Sequence, residues 1–250
     1  MDRLDAGLID VPGVQVCVVE RCTSTNSALL REPCASTKLL AAEVQTAGRG
    51  RRGRRWHSEP GADLTFSIAV MLQRPARELG ALSLVAGVAA ARALRSAGIA
   101  RVALKWPNDL VVDDAKLGGI LVETRAYASA TRAVFGIGIN CRQAPGLAAR
   151  LRRRVASVDA FISPERNKLI AQIARALLAA LRAFELHGFN AAEWEALDAH
   201  AGQRLRVRLA DGRTLSGVAS GLAEDGALRL RNRQGLHAIR SGRVVTARLG

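Results

Sequence analysis

Lysine is nearly missing from this chain: only Lys38, Lys105, Lys116 and Lys168 occur, so 33 of the 37 basic residues are arginine. Beside abundant alanine, that bias is the mark of GC-rich codon usage. It weakens the usual inference from a net charge of +15 to a polyanionic partner, and most arginines are expected at solvated surface positions. Cysteine and histidine are scarce too. Cys17, Cys22, Cys34 and Cys141 form no C-x-x-C pair and the four histidines are scattered, which excludes zinc-ligand spacing and fits reduced thiols in a cytoplasm. No long hydrophobic run is present: the longest, LGALSLVAGVAAA at 79–91, is too short for a hydrocarbon core of ~30 Å and runs directly into Arg92. The opening MDRLDAGLIDVPG carries acids and no apolar segment, so neither a signal peptide nor a membrane partner is expected.

What is there reads as an α+β protein. VQVCVVE (14–20), KLLAAEVQ (38–45) and ADLTFSIAVML (62–72) have the apolar, β-branched texture of strands, and STNS at 24–27 is a cap cluster that opens a helix. Residues 79–97 predict an Ala-rich core helix ending at Gly98. Four further strands follow, RVALKW, DLVVDD, KLGGILVETRAY and TRAVFGIGIN, joined by turns at Pro107-Asn108 and Asp113-Asp114. Strands that meander in this way predict a mixed sheet flanked by helices and not alternating βαβ units. Helical spacing returns from Pro164 to His187 and again over 191–200. From Gly202 the texture changes to five short strands with DG, EDG, NRQG and SG turns, a small β-barrel. The division expected is 1–200 for the main domain and 201–250 for the barrel. Trp106 and Trp194 are expected in the core.

GRGRRGRRW (48–56) meets the dinucleotide fingerprint G-x-G-x-x-G, but Gly53 leads into RRWHSEPG, a turn and not a helix, so the Rossmann context fails. A basic nucleic-acid arm and a flexible anion clamp remain, the clamp using glycines for close backbone approach and guanidinium forks for phosphoryl oxygens. KWPND (105–109) and KLGGILVE (116–123) lie one hairpin apart, so Lys105, Asn108, Asp109 and Lys116 converge on one end of the sheet. FGIGIN (135–140) adds glycines where a ligand approaches strand backbone.

In order, TSTN (23–26), Q-x-x-GRGRRGR-x-W (45–56), KWPND, KLGGILVE and G-x-GIN together resemble the biotin protein ligases, over the whole chain. The resemblance implies a catalytic domain like that of class II aminoacyl-tRNA synthetases plus a C-terminal SH3-like barrel. It implies a ligase using ATP, biotin and Mg²⁺: biotin's carboxylate is activated as biotinyl-5′-AMP, then passed to a lysine of a biotin carrier domain, as in acetyl-CoA carboxylase. With TSTN beginning at residue 23, a repressor's N-terminal DNA-binding domain is not expected. By the same resemblance Ser24, Thr25, Asn26 and Gln45 hold biotin with Arg49, Gly50, Arg51 and Lys116, and Gly119 and Gly136 leave room for its rings. Arg51, Arg54, Trp56, Asn108, Lys116 and Asn140 take ATP. Lys116, Arg51 and Asp109 form the catalytic group, with magnesium held mainly by phosphates and Asp109 as its candidate protein ligand. The loop is expected to be mobile when empty and to order over the adenylate.

Plain readings stand beside these. Ser24 and Thr25 are also good helix caps, Asp109 a turn former, and the glycines at 118, 119, 136 and 138 packing or bulge positions. Arg243 occupies a place often acidic in relatives. Two rivals remain: a lipoate or octanoyl transfer enzyme on the same fold, and an arginine-rich RNA-binding module. Residues 202–250 contain no aromatic side chain for base stacking, so no nucleic-acid partner is expected. Monomer and homodimer both stay open.

Overall fold

The computed structural model describes residues 3–32, 36–143, 148 and 153–245. Cys34 therefore lies outside the described residues. Seven strands form the main sheet: β1 (Gln15–Cys22), β2 (Lys38–Gln45), β3 (Asp63–Leu72), β4 (Ala103–Lys105), β5 (Asp109–Val112), β6 (Ala115–Ala126) and β7 (Thr131–Asn140). Their spatial order is β1-β2-β3-β7-β6-β5-β4. The meander holds from β3 to β7, whose pairs are all antiparallel, but the start departs from it. β1 and β2 are parallel, joined across α1 (Thr25–Arg31), so one βαβ unit opens the fold. The seven-residue helix is the crossover that a parallel pair requires.

One face of the sheet carries the core. α2 (Leu82–Ser96) and α3 (Arg166–His187) bury Leu84, Leu94, Ile170 and Leu177 against Phe66, Ile68, Phe135 and Ile137. β3 is buried along nearly all its length because α1 covers the other side, where Leu29 packs on Leu40, Ala69 and Val134. Arg166 ties α3 to β2 by a fork onto Glu43, with Nη1–Oε2 2.7 Å and Nη2–Oε1 3.1 Å. Both helices begin a little later than the sequence suggests, at Leu82 and Arg166. The last, α4 (Ala191–Glu195), stops well short of residue 200. Its continuation serves edge strand β4 instead: Leu104 N donates to Leu197 O at 2.7 Å and Ala199 N to Leu104 O at 2.9 Å. No helix of the described residues is long and apolar enough to cross a membrane.

The C-terminal unit is a five-stranded antiparallel SH3-like sheet: β8 (Arg204–Leu209), β9 (Thr214–Leu222), β10 (Leu228–Asn232), β11 (Gly235–Ile239) and β12 (Gly242–Val245), in the order β11-β10-β9-β8-β12. It is docked on the main domain. Trp106, 4% exposed beside the cis Trp106–Pro107 peptide, donates its indole N–H to Gly226 O at 3.1 Å. Trp194 is buried as well, so both tryptophans are core residues.

Asp63, at the start of β3, gives a pH prediction. Burial pushes its carboxyl up to about 7, and Glu59 nearby adds to the rise; a hydrogen bond from the Glu59 amide at 3.0 Å and the charge of Arg166 act in the opposite sense. The folded state thus holds this proton more tightly than the unfolded chain, whose carboxyl titrates near 3.8. Stability carried by the protonated form is full below that value and is lost as pH rises to about 7. Asp63→Asn removes this loss, and its melting temperature at pH 8 is expected about 5 °C above the parent, with no gain at pH 4. Equal shifts at both pH values would count against the assignment.

Candidate active site

The second face of the sheet, past the end of α1, holds a cavity of about 640 Å³. Its floor is the strip of glycines on β6 and β7. Gly119 stands opposite Gly138, and Leu121 opposite Gly136, in the antiparallel register. Two of these glycines answer to neighbours already present. A Cβ on Gly136 would lie 2.3 Å from Asn26 Oδ1, and one on Gly138 would lie 2.5 Å from the Trp56 ring. The room at Gly136 is thus taken by Asn26, and the indole of Trp56 lies against bare backbone at Gly138. Trp56 Nε1 is buried with no hydrogen-bond partner among the described residues.

Lys116 reaches this face through a β-bulge. The register of β5 with β6 runs from Leu110↔Gly118 to Val111↔Lys116, leaving Leu117 as an extra residue. The extra residue brings the Lys116 side chain to the face of Gly119, whose Cβ would meet Nζ at 3.0 Å. Lys116 Nζ forms a short ion pair with Asp109 Oδ1. Burial lowers the ammonium's pKa; Asp109 draws it up, while Arg153 and Arg54 push it further down. Burial likewise depresses Arg51, Arg54, Lys105 and Arg153. Along the cavity wall these cations face only two carboxylates among the described residues, Asp109 and Asp114. Such unbalanced, half-desolvated positive charge is costly when empty and is relieved by a polyanion.

The arginine loop forms the roof. Gly50 N donates to Arg54 O at 2.7 Å and Trp56 N to Gly48 O at 2.9 Å, so the loop is a closed hairpin of its own. Arg49 is anchored to Ser27 Oγ at 3.0 Å and to Glu123 at 2.6 Å, and Arg52 to Ser241 Oγ of the C-terminal unit at 3.0 Å. At the inner end, Ser24 caps α1 through the Ser27 amide, so its plain reading holds while it also lines the cavity. Thr25 N donates to Gln45 Oε1 at 2.8 Å.

Nearly every expected site residue lines this one cavity: Ser24, Thr25, Asn26, Gln45, Arg49, Gly50, Arg51, Arg54, Trp56, Asn108, Asp109, Lys116, Gly119 and Gly136. Asn140 does not. Its amide braces backbone behind Lys116, donating to Lys116 O at 3.1 Å and Ala156 O at 3.0 Å, because the end of β7 must be tied to the returning chain. Asn108 lines the cavity but also supports β6, with Nδ2 donating to Ile120 O at 2.8 Å. Sequence reasoning missed Ser67, Glu123, Asp114 and Arg153 and left Arg243 unassigned. Ser67 carried a signal, a hydroxyl that with Thr65 interrupts a largely apolar strand; Arg153 carried none. Among the described residues no three His, Cys, Asp or Glu side chains group to hold a metal.

A mixed sheet whose glycine floor, buried lysine and arginine hairpin enclose a strongly positive cavity defines a nucleotide-handling, carboxylate-activating enzyme. Two family models match the chain: Biotin/lipoate A/B protein ligase family over residues 18–140, and Biotin protein ligase C terminal domain over 200–246. The bifunctional ligase/repressor BirA of Escherichia coli is 39% identical over 87% of this chain and 70% of its own length. The biotin--[acetyl-CoA-carboxylase] ligase of Paracoccus denitrificans is 30% identical over 91% of this chain and 98% of its own. The biotin protein ligase of Aquifex aeolicus, solved in complex with biotin and ATP, superposes with a TM-score of 0.79 at 25% identity, covering 92% of this chain and 97% of that one. This chain belongs to the biotin protein ligase family.

Proposed function

We propose that the chain is an ATP-dependent biotin protein ligase. Biotin's carboxylate oxygen attacks the α-phosphorus of ATP and pyrophosphate leaves; the amine of a carrier-domain lysine then attacks the biotinyl carbon and AMP leaves. The observation that carries this reading is the meeting of Lys116 with the arginine hairpin at a single cavity whose inner end is Ser24, Thr25 and Gln45. Two anions must be brought together before the first bond forms, and cations fixed in a partly dry site lower that repulsion with no reorganisation at the moment of reaction. In this reading Lys116 sits between carboxylate and α-phosphate, Arg51 and Arg54 grip phosphoryl oxygens, and Trp56 borders the base. Asp109 holds the Lys116 ammonium in place and, among the described residues, is the carboxylate paired with it that would serve magnesium, which when bound with the nucleotide offsets phosphate charge. The roof keeps water from the adenylate. ATP and a carboxylase carrier meet in the cytoplasm, the compartment we assign.

The test is incubation with ATP, magnesium, labelled biotin and a biotin carrier domain such as that of acetyl-CoA carboxylase, with lipoate as the competing acid. Label on the carrier lysine from biotin alone is expected; label from lipoate alone would overturn the reading.

Arg243 has a part in it. It lines the cavity and lowers the pKa of Arg54, Lys105 and Arg153 by its charge. A further cation so close suits the outer phosphates. Arg243→Glu is expected to raise the KM for ATP about fivefold and to leave that for biotin unchanged. An unchanged ATP KM would remove Arg243 from the nucleotide site.

A further inference from the structure

One hydrogen-bonded chain runs from the inner end of the cavity to the arginine hairpin. Thr25 Oγ lies 2.6 Å from Ser67 Oγ, Ser67 Oγ donates to Asn26 Oδ1 at 2.6 Å, and Asn26 Nδ2 donates to Glu123 Oε2 at 3.0 Å and to Leu121 O at 3.2 Å. Arg49 then donates to the other carboxylate oxygen, Glu123 Oε1, at 2.6 Å. Ser67 is fully buried and Asn26 nearly so, whereas the Glu123 and Arg49 side chains are 18% and 51% exposed.

The direction of every bond follows from the far end. An ionised carboxylate only accepts, and it accepts here on both oxygens at once. Asn26 must therefore turn its NH₂ towards Glu123 and its carbonyl towards Ser67. Ser67 spends its single proton on that carbonyl, so Thr25, whose Oγ also lies 3.2 Å from Gln45 Oε1, gives its proton to Ser67 across the shorter 2.6 Å contact and offers the cavity oxygen lone pairs alone. Gln45 Oε1 is meanwhile held by the Thr25 amide, which leaves its NH₂ as a donor. One acceptor and one donor side by side match a cyclic urea, which presents N–H and C=O together.

The geometry points to Glu123 as a positioning residue with two effects: it sets the donor and acceptor sense of the site that receives the ureido head, and through Arg49 it ties that site to the roof. The first effect rests on the biotin ligase reading; the second does not. Glutamine at 123 has one acceptor oxygen for two donors, so either Asn26 or Arg49 meets an NH₂ group. Glu123→Gln is expected to raise the KM for biotin in ATP–pyrophosphate exchange about tenfold with kcat within about twofold. Without ligand, it is also expected to speed tryptic nicking at the arginines of 49–55 about threefold. Ser67→Ala breaks the chain and leaves the Arg49–Glu123 pair intact, so it should raise the biotin KM and leave nicking unchanged. Arg49→Ala should speed nicking as Glu123→Gln does, and the Arg49→Ala, Glu123→Gln pair should be nicked no faster than Glu123→Gln alone. Melting temperatures within about 3 °C of the parent, for a chain of this size, exclude general loosening. Glu123→Gln with parental KM and parental nicking overturns the proposal, as does Ser67→Ala that speeds nicking as much as Glu123→Gln. A parent enzyme that exchanges no pyrophosphate defeats the biotin ligase reading instead, while nicking still tests the tie to the roof.

Discussion

Lys116→Ala is expected to lower biotin-dependent ATP–pyrophosphate exchange by about 10³-fold while the protein stays folded. The size follows from position. Lys116 is the most deeply buried of the cavity's amines and guanidinium groups, 14% exposed in its side chain, and burial already lowers its pKa. A cation that has given up its water gains most when a second anion arrives, and in the first step two anions arrive together. Folding is spared because the ammonium is a cost to the empty protein and Asp109, its partner, is not orphaned. Arg51, Arg54, Lys105 and Arg153 all feel the Asp109 charge. Purified Lys116→Ala is therefore expected to melt within a few degrees of the parent and to bind biotin measurably in calorimetry. Exchange above a tenth of the parental rate would show that another group neutralises the transferring phosphoryl.

Much of this could be read before any coordinates. The bounds of β2 and the turn at Asp113-Asp114 follow from local chemistry: an apolar run closed by a polar residue, and two short acids that tolerate positive φ, here 49° and 63°. The cavity could be anticipated because its motifs fall at the same ends of neighbouring strands. What stayed hidden depends on register and on distance along the chain. Nothing in KLGG announces that Leu117 bulges, yet without that extra residue Lys116 would point to the core face and Gly119 alone would meet Asp109. Glu123 looks like one more surface acid at a strand end; its meaning appears only when Asn26 and Arg49, far away in sequence, are brought to its two oxygens. The parallel β1–β2 pair was missed because a seven-residue helix between two strands has the same local signature in either topology. Asn140, chosen by its motif, turned out to spend its amide on backbone, as a polar group at the buried end of a strand must find partners somewhere.

Gly136→Ala should be the second large loss, a rise in the KM for biotin of about 50-fold with little change in melting temperature. The added methyl carbon would stand 2.3 Å from Asn26 Oδ1 and 2.9 Å from its Cγ, so the amide has to leave its place. It cannot retreat cheaply: Leu121 O and Glu123 hold one end and Ser67 the other, and the strand that bears residue 136 is paired on both sides. When Asn26 moves, Ser67 loses its acceptor and Thr25 is no longer obliged to donate inward, so the polar sense of the head-group site dissolves along with its shape. Global stability suffers less, since the methyl meets a side chain and not backbone. The distinguishing measurement is a double-mutant cycle with Asn26→Ala. If the damage passes through the amide, Gly136→Ala should cost nothing further once Asn26→Ala has removed it. Full additivity of the two would mean that the methyl blocks biotin itself and that the amide is a bystander.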